Sequence, residues 1–326
     1  MIFFILFFVK FKGILIKCKK RIFGVKKNLI SVVLGSYNRY EFLKLTIDSV
    51  REELKDINNE IIVIDGGSTD GALEWLLKQK DIITIVQHNR GEWNGKKIER
   101  RSWGYFMNLG FSAAGSKYVC MISDDCLIVP GAIKNGYDLF EKKLSKGEKI
   151  GAVAFYWRDT YKRNKYHVGY TLSEKMYVNH GMYLKKALQE VDFIDEENFF
   201  FYNADADLCL KLLQKGYKTI SSPKSFIEHF PHANDKVRSS NYEKQQLDNQ
   251  NFFNKWNGIY YDKSKHNIGK IEYKIFKDKF NTFKKFEPYY EKLKKENPNL
   301  FVRKKINFIY RLNKKLKNIL LMDKLL

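Results

Sequence analysis

The chain has 326 residues, 44% of them hydrophobic and 15% aromatic, with a formal net charge of +22. This apolar content excludes intrinsic disorder and is enough for one sizeable core. Four cysteines, Cys18, Cys120, Cys126 and Cys209, show neither C-x-x-C nor zinc-type Cys/His spacing, which excludes a disulfide framework and points to a reducing compartment.

The opening run MIFFILFFV is apolar, but Lys10 and Lys12 interrupt it well before the roughly 20 residues a spanning helix needs. It also lacks the positive start and small-residue cleavage site of a secretory signal. An apolar tail and a shallow membrane anchor both remain open.

From Leu29 onward, short β-branched runs alternate with stretches of helical period, the pattern of a parallel sheet with crossover helices. Strands are expected at LISVVLG (29–35), EIIVID (60–65), DIITIVQ (81–87) and KYVCMIS (117–123), and helices at about 40–55, 71–79 and 98–114. Right-handed crossovers make this a doubly wound, mostly parallel α/β sheet with its ligand crevice beyond the carboxyl ends of the strands. Ser36-Tyr37-Asn38, Asp65-Gly66-Gly67-Ser68 and Asp124-Asp125 follow three of the runs at that end and are expected to converge there.

Asp124 and Asp125 repel each other unless a cation or donors neutralise them. A hard divalent cation serving a diphosphate is the usual remedy. Asp is also an ordinary turn and cap residue, so the pair alone leaves both readings open. A second acidic cluster, Asp205 and Asp207, opens an apparent helix with Leu208, Leu212 and Leu213 on one face and Gly216 as terminator. Capping with the helix dipole accounts for one of these acids and leaves the other for general-base work.

The blocks ISVVLGSYNRYEFLKLTIDSV, EIIVIDGGSTDGALEWL, NLGFSAAGSKYVCMISDDCLIVPGAI, FIDEENFFFYNADADLCLKLLQKGYKTI and SFIEHF, in that order, resemble the inverting glycosyltransferases of family 2 with the GT-A fold. The resemblance covers about residues 29–232. It implies a domain at 29–235, between an apolar and basic segment at 1–28 and a basic, mainly helical extension at 236–326.

By resemblance, Tyr37 of Ser36-Tyr37-Asn38 stacks on the nucleotide base and Asp65 accepts a hydrogen bond from it, which favours UDP or dTDP sugars. Ser123, Asp124 and Asp125 stand in place of the D-x-D motif. Asp125 is then the direct Mg²⁺ or Mn²⁺ ligand, and Asp124 meets ribose or a metal-bound water. Asp205 becomes the general base, with Asp207 as its nearest rival and Ala204 replacing an acid of the usual pattern. His229 stands beside the metal or diphosphate, with His232 as competitor. Met107 replaces a frequent arginine, so Arg100 and Arg101 become phosphate-binding candidates. Asn179, His180 and Gly181 fall on the acceptor side.

The implied partners are a nucleotide-sugar donor and a glycan or lipid-linked acceptor, as in cell-surface polysaccharide synthesis. Residues 1–30 carry eight Lys or Arg and no acid, and residues 303–326 carry eight against one Asp, so the ends hold most of the net charge. RKKINFIYRLNKKLKNILL (303–321) has the spacing of an amphipathic helix suited to an anionic membrane surface, which implies a cytoplasmic enzyme peripheral to the inner face of the membrane. The alternatives are a basic nucleic-acid-binding protein and an inactive nucleotide-sugar-binding relative. Strand-end acids would repel a phosphate backbone, so no nucleic acid is expected, and the presence of Asp125 and Asp205 argues for activity.

Overall fold

The computed structural model describes residues 4–11, 14–21, 29–159, 164–230, 235–262 and 270–296. An antiparallel hairpin, β1 (Phe4–Phe11) and β2 (Ile14–Arg21), comes first. It is followed by β3 (Ile30–Ser36), α1 (Tyr40–Leu54), β4 (Asn59–Asp65), α2 (Ala72–Leu76), β5 (Ile82–Val86) and a small hairpin, β6 (Glu92–Trp93) with β7 (Lys96–Lys97). Then come α3 (Trp103–Ala113), β8 (Tyr118–Met121), β9 (Cys126–Ile128), α4 (Ala132–Leu144), β10 (Ile150–Asp159) and β11 (Lys165–Gly169). The remaining elements are β12 (Gly181–Leu184), α5 (Lys185–Glu190), α6 (Ala204–Gln214), β13 (Lys218–His229), α7 (Asp235–Trp256), β14 (Ile271–Ile275) and α8 (Glu287–Glu296).

Ten strands share one sheet in the order β14-β11-β10-β12-β8-β3-β4-β5, with β13 joining β10 and β9. The neighbours β8, β3, β4 and β5 run parallel, as do β10 and β13, whereas β12 is antiparallel to both β8 and β10. This mixed, mostly parallel sheet is the GT-A arrangement. The four expected runs are β3, β4, β5 and β8. The helix expected from residue 98 begins only at Trp103, because Ser102 caps it: its Oγ accepts from the Tyr105 N–H at 3.1 Å.

Period-2 alternation dresses both faces of the sheet. Ile30, Val32 and Leu34 pack under α1 and α4 with Leu43, Ile47, Val50 and Phe140, while Val33, Ile62 and Ile64 pack under α3 with Phe106 and Phe111. Each such aliphatic side chain contributes about 1.5–3 kcal/mol on leaving water. A Cβ at Gly110 would come within 2.4 Å of Val33 and 2.6 Å of Ile64, so only glycine lets α3 lie this close to the sheet.

Two elements of the segment expected as a helical extension are built into this body. β14 adds an antiparallel edge strand through β11, and Phe252 and Trp256 of α7 join the core. His232 and residues 303–321 lie outside the described residues. No helix among the described residues is long and apolar enough to cross a membrane.

Candidate active site

Beyond the carboxyl ends of β3 and β8, a cavity of about 950 Å³ is lined by Ser36, Tyr37, Arg39, Asp124, Asp125, Asn179, Asp205 and His229, among others. That volume is at the upper end of the range for small-molecule sites.

The acid pair is nearly inaccessible, with Asp124 2% and Asp125 4% exposed. Arg39, the residue before α1, answers the repulsion: its Nη1 donates to Asp124 Oδ1 at 2.6 Å and to Asp125 Oδ2 at 3.1 Å. Burial opposes the Arg39 charge, yet the two carboxylates outweigh it and hold its pKa above the ordinary value. Burial raises the Asp124 pKa; Arg39 pulls it down and the Asp125 charge pushes it up again, leaving it high. Asp124 Oδ2 and Asp125 Oδ1 have no hydrogen-bond partner among the described residues, which is costly for buried oxygens and marks them for a ligand. His229 Nε2 lies 3.6 Å from Asp125 Oδ1, and its Nδ1 lies 3.3 Å from Asp159 Oδ1 on the neighbouring strand.

Asp205 sits in the first turn of α6. Its Oδ1 accepts from the Ala206 N–H at 2.9 Å and its Oδ2 from Asn179 Nδ2 at 3.3 Å. Burial pushes its pKa up against these bonds. Its rival Asp207 is not brought to the cavity. It is fully buried and bonded to Trp256 Nε1 at 2.9 Å and Lys255 Nζ at 2.9 Å, so its lone pairs tie α6 to α7.

The segment before Asp205 is held from α7. Buried Asp248 accepts from the backbone N–H groups of Phe200 at 2.7 Å, Phe201 at 2.9 Å and Tyr202 at 2.8 Å. Asn251 Nδ2 donates to Asn198 O, and Asn203 Nδ2 to Asn249 Oδ1. Helix α7 therefore runs as a splint along the loop that carries the acid.

Residues 31–208, more than half the chain, match the sequence model of Glycosyl transferase family 2. The chain belongs to glycosyl transferase family 2. No curated protein gives a significant match. Among solved structures, it is similar to S. aureus TarS 1–349 at 15% identity and TM-score 0.47, over 69% of this chain and 66% of that one. It is also similar to the mannosyltransferase PcManGT from Pyrobaculum calidifontis, in complex with GDP-Man and Mn²⁺, at 16% identity and TM-score 0.46, over 63% of this chain and 57% of that one. The match to both therefore spans less than two thirds of their length.

In this family 2 chain, Ser36, Tyr37, Asp124, Asp125, Asn179, Asp205, His229, Arg100 and Arg101 all line the cavity. Others expected there do not. Asp65 is fully buried and turned onto its own loop, where Oδ1 accepts from the N–H groups of Gly67 and Ser68 and Oδ2 from Ser68 Oγ. Asn38 clamps the same loop, its N–H donating to Ser68 Oγ and its Oδ1 accepting from the Thr69 N–H. His180 is 1% exposed behind His229, with ring centroids 5.4 Å apart. Burial first, then the neighbouring His229, keeps its pKa low. Gly181 is buried at the start of β12.

Sequence reasoning missed Arg39, Arg90, Tyr242 and Asp248. Arg39 lies inside a block quoted for the family, but its partners are 85 and 86 positions away. Arg90 covers the Tyr37 ring at 5.2 Å and bonds Ser240 Oγ, while Arg100 bonds Ser240 O and Asn241 Oδ1, so α7 is also tied to the Tyr37 side of the cavity.

Proposed function

We propose that the protein is an inverting, metal-dependent glycosyltransferase that moves a sugar from a nucleotide sugar to a hydroxyl of a glycan or lipid-linked acceptor. The observation that carries this reading is one cavity lined by a raised-pKa carboxylate, Asp205, and by the Asp124–Asp125 pair with its two unpartnered oxygens.

Asp205 takes the acceptor hydroxyl proton as that oxygen bonds to the anomeric carbon. The bond from that carbon to the diphosphate oxygen breaks on the opposite face, its electron pair stays with the diphosphate, and the nucleoside diphosphate leaves. Configuration inverts because entry and departure are opposed. Asn179 holds the base through Oδ2, and Arg39 keeps the two acids side by side.

Among the described residues no group of three or more His, Cys, Asp or Glu is arranged to hold a metal. The unpartnered oxygens nevertheless fit Mg²⁺ or Mn²⁺, which commonly take one or two carboxylates and complete their shell with substrate phosphates and water. Asp125 Oδ1 and Asp124 Oδ2 would hold the ion, with His229 beside them. When bound it neutralises charge on the leaving diphosphate. Tyr37 offers the base a stacking face that Arg90 now covers. Asp65 is occupied by its loop, so preference for UDP or dTDP over other nucleotides rests on the family resemblance alone.

The basic ends place the enzyme peripherally on an anionic, cytoplasmic membrane face, where a lipid-linked acceptor would lie. The deciding experiment is calorimetry with UDP, TDP, GDP and a control oligonucleotide, each with Mn²⁺ and then with EDTA. Metal-dependent binding of one nucleoside diphosphate is expected. Salt-sensitive oligonucleotide binding with no nucleotide response would overturn the reading.

A further inference from the structure

Four aromatic rings that line the cavity touch in sequence. Trp103 meets Phe201 edge-on at 6.4 Å, Phe201 meets Tyr202 edge-on at 5.2 Å, and Tyr202 lies nearly parallel to Tyr242 of α7, 12° between planes and 6.2 Å between centroids. Tyr202 is three residues before Asp205. Both Tyr202 and Asp205 line the same cavity. Its outer rings are unusually open, with Phe201 40% and Tyr242 49% exposed.

Exposed contiguous aromatic surface beside a catalytic group costs solubility and stability unless a ligand covers it. The strip is also held in place, because Asp248 fixes the backbone of Phe200, Phe201 and Tyr202 through three N–H bonds. Preorganised rings lose little entropy when a ligand stacks on them.

We propose that this strip is the acceptor subsite and that it takes an oligosaccharide, pyranose rings stacking their C–H faces on Phe201, Tyr202 and Tyr242, which touch in that order, while the terminal hydroxyl reaches Asp205. The proposal rests on the transferase reading and names its acceptor class. A pyranose has an apolar face and a hydroxyl edge. The strip matches this with aromatic faces bordered by Asn203, Asn241 and Gln245, which also line the cavity. An alkyl chain would instead require an unbroken apolar channel. Tyr242 and Gln245 lie beyond residue 208, where the family match ends.

The test is saturation-transfer NMR on the full chain with cellotetraose, maltotetraose, laminaritetraose and chitotetraose, their monosaccharides, and decyl phosphate as a lipid probe. At least one tetrasaccharide should bind, and more tightly than its monosaccharide. Phe201→Ala and Tyr242→Ala should each weaken it on the order of tenfold, the effect of losing one aromatic contact. Tyr242→Phe should retain binding, and Trp93→Ala, which removes an exposed ring outside the cavity, should change nothing.

No transfer from any tetrasaccharide, transfer that survives both alanine variants, or loss in Trp93→Ala would each overturn the proposal. So would decyl phosphate binding that the alanine variants abolish while the glycans stay silent. Calorimetry with UDP, TDP and GDP and Mn²⁺ run in parallel separates the two readings: a chain that binds glycan along the strip but none of these nucleotides fails as a transferase and keeps the glycan-binding strip.

Discussion

Asp205 and Arg39 are both charged side chains at the cavity and burial disfavours both charges, but only Arg39 has partners that outweigh it. The Asp205 pKa is raised because burial disfavours the ionised form, so the folded protein accommodates the protonated carboxyl better than the charged one. Stability attributable to this group is therefore highest at low pH and is lost as pH rises through the folded value. Asp205→Asn removes the charge. It should raise Tm at pH 7.5, with the difference disappearing in melts below the ordinary Asp range, while transfer falls about 10²–10⁴-fold and nucleotide binding stays. Full activity in that variant would remove Asp205 as the base. Arg39 has the opposite sign: deleting it strands two adjacent buried carboxylates. Arg39→Ala should cost about 3 kcal/mol in denaturant unfolding at pH 7.5, and the loss should shrink as acid protonates the pair. An unchanged midpoint would mean that the ion pair contributes nothing net.

Helix α7 shows how one element can hold a site to which it contributes no catalytic group. Removing the Asp248 carboxylate leaves the N–H groups of Phe200, Phe201 and Tyr202 without their acceptor. Asp248→Ala should cost about 2–4 kcal/mol and lower kcat about tenfold or more through misplacement of Asp205, with KM for the donor little changed. Hydrogen exchange at those three amides should accelerate, and equal loss in kcat and donor affinity would point to general unfolding instead. Little of this was legible beforehand. β3, β4 and β8 could be read because apolar runs buried on both faces have a strong local signal, and the half-exposed edge strand β5 because its run Ile82–Val86 is β-branched throughout; the acids after β4 and β8 share the geometry of the sheet. α7 reads as polar, with Phe252, Phe253 and Trp256 gathered at its carboxyl end, so nothing local distinguishes Asp248 from a solvated acid. Asp65 misled for the converse reason. Its position after β4 is the same whether it meets a base or closes its own loop, and only the hydrogen bonds from Gly67 and Ser68 decide. Arg39 depends on contacts more than 80 residues distant, which no periodicity reports.

At the scale of the whole molecule, charge and chemistry are segregated along the chain. The cavity is built from residues 35 to 253, while residues 303–326 alone add eight Lys or Arg against one Asp. This charge lies, in sequence, beyond every described residue that lines the cavity. It is well placed to bind an anionic surface, each basic residue near the lipid contributing about 1 kcal/mol. Removing residues 303–326 should leave UDP affinity within about twofold, since the described residues that line the cavity all lie between 35 and 253. The same deletion should abolish most sedimentation with phosphatidylcholine vesicles containing a quarter phosphatidylglycerol, and binding of the full chain should fall steeply between 50 and roughly 300 mM salt. Neutral phosphatidylcholine vesicles should bind neither form. If the shortened chain sediments with anionic vesicles as well as the full one, the carboxyl-terminal charge is not the membrane contact. Residues 1–30, with eight Lys or Arg and no acid, then become the segment to delete.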